Sequence, residues 1–158
     1  MIELQLADTD ISEHLPTLRL LSSLCDHVVE LGVRTGVSTA AIISSGTPST
    51  HYDILPQPYQ FPEKNKFIQA NTLEITIPET DMLFIDSEHS YPQLSQELKL
   101  HASRVRKYIA FHDTTTFADA LIPAIDRKIK ILHIKFCEPL TVCDEAVRPC
   151  HCPGHEKI

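Results

Sequence analysis

Two pairs of acidic and imidazole side chains stand where they could act together on one ligand. Asp86 and His89 follow one short apolar segment, and His112 and Asp113 follow another. The carboxyl ends of parallel strands meet at the same edge of a sheet, so these side chains are expected to converge. Two carboxylates with an imidazole suit a divalent cation. The oxygen ligands favour Mg²⁺, and the histidine would also admit Mn²⁺ or Fe²⁺.

A cation held among these side chains could bind an alkoxide oxygen and lower the pKa of the parent hydroxyl. Histidine is the most common general base in enzymes, which makes His89, with Asp86, the candidate catalytic pair. The alternative is structural. In that interpretation the two aspartates cap helices and the two histidines lie on the surface.

A glycine-containing turn at residues 32–36 leads from a predicted strand into a predicted helix. Gly32 and Gly36 would let the backbone turn tightly and approach a ligand, and the helix N-terminus offers free N–H groups. Asp53 lies 21 residues after Gly32, at the end of the next predicted strand. An acidic side chain there can accept hydrogen bonds from the hydroxyls of a ribose. The G-x-x-x-G spacing differs from G-x-G-x-x-G, which argues against NAD. An ordinary tight turn is the alternative.

The hydrophobic pattern predicts the elements that position these residues. Strands are predicted at 28–31, 50–54, 66–70, 81–86, 107–112, 129–136 and 139–143, and helices at 11–25, 38–44, 92–105 and 117–128. Asp10 and Glu13 have the spacing of a capping box at the first helix. The alternation predicts an α/β fold in one domain, with a doubly wound, mostly parallel sheet and helices on both faces.

Two connections are short for parallel crossovers, namely the proline-rich stretch at 55–65 and the stretch at 71–80. A sheet face left uncovered there would expose apolar side chains. Such a face is typical of an interface between protein chains, and it favours a homodimer.

Composition excludes several classes of function. The 158 residues carry 21 acidic against 14 basic side chains, a net charge of −7, which argues against a nucleic-acid partner. No apolar run approaches the roughly 20 residues needed to span a membrane. The first residues lack the features of a secretory signal, and the five cysteines are odd in number. Both observations predict reduced thiols in the cytoplasm.

The residues at 144–158 are polar and rich in proline, and are predicted to form a mobile tail after a domain at 1–143. Cys143, Cys150, Cys152 and His155 could bind zinc. Their spacing, C-x₆-C-x-C-x₂-H, lacks the C-x₂₋₄-C pair of structural zinc sites. Unpaired thiols are therefore the preferred interpretation.

Three segments resemble a known family. Residues 30–39 (ELGVRTGVST) resemble the first motif of class I S-adenosylmethionine (SAM)-dependent methyltransferases. Residues 84–91 (FIDSEHSY) and 111–114 (FHDT) are similar to a branch that includes macrolide-sugar O-methyltransferases and cephalosporin-hydroxylase-like proteins. The resemblance covers about residues 10–143. It implies a Rossmann-like sheet of about seven strands, the last one antiparallel, and SAM as cofactor.

The resemblance also implies roles for individual residues. The first motif would hold the methionine side of the cofactor through Glu30, Gly32, Arg34, Gly36 and Ser38. Asp53 would hold its ribose. Asn71 would lie near its adenine. Asp86 and the pair His112 and Asp113 would bind magnesium, and His89 would be the base. The branch often has Glu-Asp at that pair, so His112 is a departure.

The activity so implied is metal-assisted O-methylation of a small hydroxylated molecule, such as a sugar. Three alternatives stay open: a SAM- or nucleotide-binding domain without transferase activity, a metal-dependent hydroxylase-like enzyme on the same fold, and a dinucleotide-dependent oxidoreductase. The expected partner is a small-molecule acceptor, with no nucleic acid and no membrane.

Overall fold

A computed structural model describes residues 11–58 and 60–128, and these form one parallel sheet with helices on both faces. The strands are β1 (Val28–Leu31), β2 (Ser49–Asp53), β3 (Asn65–Gln69), β4 (Thr80–Ile85) and β5 (Val105–Phe111). Their order is β3-β2-β1-β4-β5, and every neighbouring pair is parallel. The chain therefore winds outward from β1 in both directions, as predicted.

Five of the predicted strands lie within the described residues, and all five are present; the last of them, β5, is parallel to its neighbour. A sheet of about seven strands with an antiparallel last strand is not confirmed. The two remaining predicted strands, at 129–136 and 139–143, lie outside the described residues, as does the predicted tail at 144–158.

Within the described residues, four α-helices accompany the sheet: α1 (Leu15–Ser23), α2 (Val37–Ser44), α3 (Tyr91–His101) and α4 (Ala118–Lys128). Pro16 and Pro92 occupy the first turns of α1 and α3, where a proline loses no hydrogen bond. Asp10, the predicted cap of the first helix, lies outside the described residues. None of the helices in the described part of the chain is long and apolar enough to cross a membrane.

The third predicted helix, at 92–105, is too long at its C-terminal end. The α-helix ends at His101, a 3₁₀ turn follows at Ala102–Arg104, and β5 begins at Val105. Val105 pairs with Thr80 of β4. This strand pairing, between residues far apart in the sequence, ends the helix although the local pattern would continue it. A β-branched residue also fits a strand better than a helix.

The core has two layers because side chains alternate across each buried strand. One layer packs β1, β4 and β5 against α1 and α2, and includes Leu18, Val28, Ile42, Met82, Phe84 and Ala110. The other packs the same strands against α3 and α4, and includes Val29, Leu31, Leu83, Ile85, Leu94, Leu98, Ile109 and Leu121. This two-sided burial explains why the strands are almost continuously apolar.

No helix forms in the described residues of the two short connections. The second connection covers part of the sheet by another means, because Ile77 is fully buried in the α3 side of the core. The edge strand β3 keeps Ile68 41% exposed. A homodimer through an uncovered face stays a prediction.

Candidate functional site

The four side chains predicted to converge do so at the carboxyl ends of β4 and β5. His89 Nε2 lies 3.2 Å from Asp86 Oδ1 and 3.4 Å from Asp113 Oδ2. His112 Nδ1 lies at the same two distances from the same two atoms. All four atoms lie within 4.8 Å of one another. We call these residues the Asp/His cluster.

Adjacent strands bring the Asp/His cluster together. Ile85 pairs with Phe111 in the β4–β5 ladder, and the next backbone bond runs from His112 N to Ile85 O at 3.1 Å. Asp113 follows with φ of +56°, a conformation that aspartate tolerates better than most residues. The two histidines of the cluster differ in burial: the His112 side chain is 6% exposed, and that of His89 is 27% exposed.

The structural alternative for this cluster does not hold for Asp86 or for His112. Ser90, not Asp86, is the N-cap of α3, where its hydroxyl accepts a hydrogen bond from Gln93 N. His112 is buried rather than on the surface. The ring of His89 stacks on Phe117, with centroids 4.7 Å apart and an interplanar angle of 16°.

The Asp/His cluster has the dimensions of a cation site. Two donors each about 2.1 Å from a common ion lie about 3.0 Å apart at a right angle and about 3.4 Å apart at the tetrahedral angle. The contacts of 3.2–3.4 Å fall in this range. Two of the four donors are nitrogens, whereas the magnesium site implied by the family resemblance contains only one nitrogen donor, from His112.

A cavity of about 880 Å³ opens beside the cluster, at the carboxyl edge of the sheet. Its lining includes four of the predicted cofactor-binding residues and three members of the cluster: Gly32, Arg34, Asp53 and Asn71; and Asp86, His89 and Asp113. Gly36 caps the N-terminus of α2, and Ser38 lines a smaller cavity of about 100 Å³ that also touches Arg34 and Asp86. The main cavity therefore brings four of the predicted cofactor-binding residues beside the Asp/His cluster.

Asp53 has a role that its sequence position did not reveal. Its Oδ2 atom accepts hydrogen bonds from Val33 N at 2.8 Å and from Arg34 N at 2.9 Å, and its Oδ1 atom accepts one from Leu55 N at 2.9 Å. The backbone of Arg34 is left-handed, with φ of +49°. The Asp53 carboxylate thus holds the glycine turn in shape at the mouth of the cavity.

Glu30 lies inside the core rather than in the cavity. Strand alternation puts its side chain on the α2 side of β1, where it is fully buried. Its Oε2 atom accepts a hydrogen bond from Thr39 Oγ1 at 2.6 Å and lies 2.6 Å from His51 Nδ1. Glu30 therefore connects β1 to α2 and β2. A direct role at the methionine end of a cofactor stays a prediction.

A second buried carboxyl group supports the cavity from the other face, and the sequence analysis missed it. Glu97 on α3 accepts hydrogen bonds from Thr72 Oγ1 at 2.6 Å, Gln93 Nε2 at 2.9 Å and Ser87 Oγ at 2.8 Å. Its only sequence signal is its place beside Leu98 on the apolar stripe of the helix. Through these contacts α3 holds both the loop after β3 and the loop that carries Asp86.

Comparison with known proteins identifies the fold. No protein-family model matches the chain, and no curated protein matches it by sequence. Among solved structures, N-methyltransferase NodS from Bradyrhizobium japonicum WM9, in complex with S-adenosyl-L-homocysteine, matches with a TM-score of 0.57 at 14% identity. That match covers 78% of this chain and 77% of NodS.

A second solved structure matches less well. The 1,6-didemethyltoxoflavin-N1-methyltransferase of Burkholderia thailandensis, with bound 1,6-didemethyltoxoflavin and S-adenosylhomocysteine, gives a TM-score of 0.49 at 14% identity. The match covers 61% of this chain and 49% of that protein, so the chain spans about half its length. The macrolide-sugar branch is not confirmed by these neighbours. The described sheet and its flanking helices have the fold of class I SAM-dependent methyltransferases.

Proposed function

We propose that this chain is a SAM-dependent methyltransferase whose acceptor is a small hydroxylated molecule, such as a sugar, with a divalent cation in the Asp/His cluster. One observation carries the proposal. The cluster opens onto the same cavity as Asp53 and Asn71, the residues expected to hold the nucleoside part of the cofactor. A methyl donor and an ionised acceptor could therefore occupy one cavity.

The cavity residues fit SAM, which would supply an electrophilic methyl group. A carboxylate has about four acceptor positions. Asp53 uses three of them on Val33, Arg34 and Leu55, which leaves one for a ribose hydroxyl. Asn71 borders the cavity, where its amide could contact adenine. Its Oδ1 atom also accepts a hydrogen bond from Leu73 N at 3.0 Å.

The acceptor hydroxyl would be activated at the cluster. A divalent cation, when bound, would lower the pKa of a hydroxyl beside it. His89 faces the cavity between Asp86 and Asp113, and in this scheme it takes the hydroxyl proton. Holding acceptor and donor in line would supply much of the rate acceleration.

One feature favours a second candidate, a domain that binds SAM without transferring its methyl group. The loop after β2 leaves Ile54 and Leu55 64% and 60% exposed at the cavity rim. An acceptor pocket open at this rim would position its substrate poorly. Binding and transfer therefore need separate measurements.

Two experiments test the proposal. Calorimetric titration with S-adenosylhomocysteine should show binding at one site. Absence of binding heat would contradict both the methyltransferase and the SAM-binding domain. Transfer of a labelled methyl group from SAM to a small-molecule extract should then occur in the presence of a divalent cation. Asp113→Asn, which keeps a residue that tolerates positive φ, should lose transfer and keep cofactor binding. Binding by the wild-type protein without any transfer would select the second candidate.

A further inference from the structure

We propose that the Asp/His cluster binds one divalent transition-metal ion, of the Mn²⁺, Fe²⁺, Co²⁺ or Zn²⁺ class, in preference to Mg²⁺, and that His89 is one of its ligands. This inference rests on the proposed function for the cluster's place beside a cofactor cavity, and it replaces the role of His89 as the base by a role as a metal ligand. Metal binding itself does not depend on SAM, so the two proposals can fail separately.

The donor atoms carry the argument. Mg²⁺ prefers six oxygen ligands and retains its waters, whereas Mn²⁺ accepts imidazole nitrogen more readily than Mg²⁺ does, and Fe²⁺, Co²⁺ and Zn²⁺ bind it well. The cluster offers two imidazole nitrogens, from His89 and His112, and two carboxylate oxygens. Both nitrogens lie at 3.2 Å and 3.4 Å from the same two carboxylate oxygens. The two histidines are thus geometrically equivalent around the centre.

The position of His112 makes the nitrogen donor a fixed part of the site. Its ring is buried at the end of β5, and its backbone N–H is bonded to Ile85 O. The Nδ1 atom of this ring is itself buried from solvent. His89 is more exposed, but its ring is held by stacking on Phe117. Both imidazoles are therefore oriented before any metal arrives, which favours ions that accept nitrogen.

Direct coordination changes the expected role of His89. A nitrogen that binds a metal cannot at the same time accept a proton from the acceptor. In this arrangement the carboxylates of Asp86 and Asp113 and the two imidazoles would hold the ion beside the cavity. His89 then acts as a ligand, and the proton of the acceptor leaves to a carboxylate or to water.

The test uses the full chain, stripped of metal with a chelator. Calorimetric titrations with MnCl₂, CoCl₂ and MgCl₂ should show one site, with Mn²⁺ and Co²⁺ binding at least about tenfold more tightly than Mg²⁺. The visible absorption bands of bound Co²⁺ report nitrogen coordination. His89→Ala should weaken Co²⁺ binding by about tenfold or more and change these bands. Equal affinity for Mg²⁺ and Mn²⁺, or unchanged Co²⁺ bands in His89→Ala, would overturn the proposal.

Two further variants separate ligand chemistry from charge. His112→Glu replaces a nitrogen donor by an oxygen donor and should reduce the ratio of Mn²⁺ to Mg²⁺ affinity. Glu88→Gln removes an exposed charge from the same loop and should leave both affinities within about twofold. A Mn²⁺ affinity that falls as much in Glu88→Gln as in His89→Ala would show nonspecific attraction only. Titration of the metal-free protein with S-adenosylhomocysteine tests the proposed function independently.

Discussion

The backbone of Gly32 lies against the backbone of Asp86, closer than any side chain would permit. A Cβ atom built on Gly32 would lie 2.1 Å from the carbonyl oxygen of Asp86 and 2.6 Å from its carbonyl carbon. Gly32 directly follows β1, and Asp86 directly follows β4, the neighbouring strand in the sheet. The glycine turn and the loop of the Asp/His cluster are therefore held at their spacing because residue 32 has no side chain.

Gly32→Ala should disturb both the fold and the cavity. At φ of +91° an alanine is strained by about 1–2 kcal/mol, and its methyl group would overlap Asp86. Gly46→Ala is the matched control, since Gly46 has φ of +83° and the nearest atom to its Cβ position is Lys64 Nζ at 3.8 Å. Chemical denaturation should show that Gly32→Ala loses about 1–3 kcal/mol more unfolding free energy than Gly46→Ala. Equal losses would show that the overlap is relieved without cost.

Asp53→Asn should weaken cofactor binding by loosening the glycine turn. The amide retains one oxygen, but its NH₂ group cannot accept the bonds that the second carboxylate oxygen now accepts. Hydrogen bonds to charged groups contribute about 1.5–3 kcal/mol. We expect about a tenfold rise in the Kd for S-adenosylhomocysteine, measured by calorimetry. Glu63→Gln, the same change in charge at an exposed position before β3, should leave the Kd unaltered. An unchanged Kd in Asp53→Asn would contradict both roles given to this residue.

Glu97→Ala should destabilise the protein, because Glu97 holds two loops that border the cavity to α3. The change removes the acceptor of three side-chain hydrogen bonds, from Thr72, Ser87 and Gln93. Since an unsatisfied buried partner costs about 1–3 kcal/mol, we expect a loss of about 2–4 kcal/mol in thermal or urea unfolding. Glu97→Gln keeps one carbonyl oxygen and should lose less. Gln96→Ala, at the exposed neighbouring position on α3, is the control. A loss in Glu97→Ala no larger than in this control would mean that the network contributes nothing to stability.

Asp81 should make stability depend on pH in the acid range. Its carboxylate accepts hydrogen bonds from Asp26 N at 2.7 Å and Arg106 Nε at 2.8 Å, and lies 2.9 Å from Lys107 Nζ. The bond from Asp26 N, followed by that from Lys107, lowers its pKa from 3.8 to about 2. A carboxyl pKa that is lower in the folded state stabilises the fold above the unfolded pKa. The contribution is lost as pH falls from about 4 through about 2.

Asp81→Asn measures this contribution. The difference in unfolding free energy between wild type and variant should be largest above pH 5 and should shrink towards pH 2. Urea denaturation at a series of pH values gives the difference directly. Glu79→Gln, at an exposed position just before β4, should show a difference that does not vary in this way. A constant difference for Asp81→Asn would mean that the carboxylate is not held in its charged form by the fold.

The sequence indicated much of the scaffold because buried parallel strands are apolar on both faces. The segment at 81–86 has an apolar centre bounded by two acids, so both the strand and the position of Asp86 at its end could be predicted. The same reasoning placed His112 and Asp113 after β5. Prediction was poorest where the chain has no local pattern, as at Val105, where pairing with Thr80 ended a helix that the sequence would continue.

The sequence by itself determined which residues stand at strand ends, because an apolar run that stops at a polar residue is a local property. The tertiary structure decided which of those ends are neighbours and which way each side chain faces. Adjacency of β4 and β5 joined two separate motifs into one centre of four donors. Strand alternation turned Glu30 into the core, and Asp53 became the acceptor for the backbone of a turn about 20 residues earlier. These outcomes depend on contacts between residues far apart in the chain.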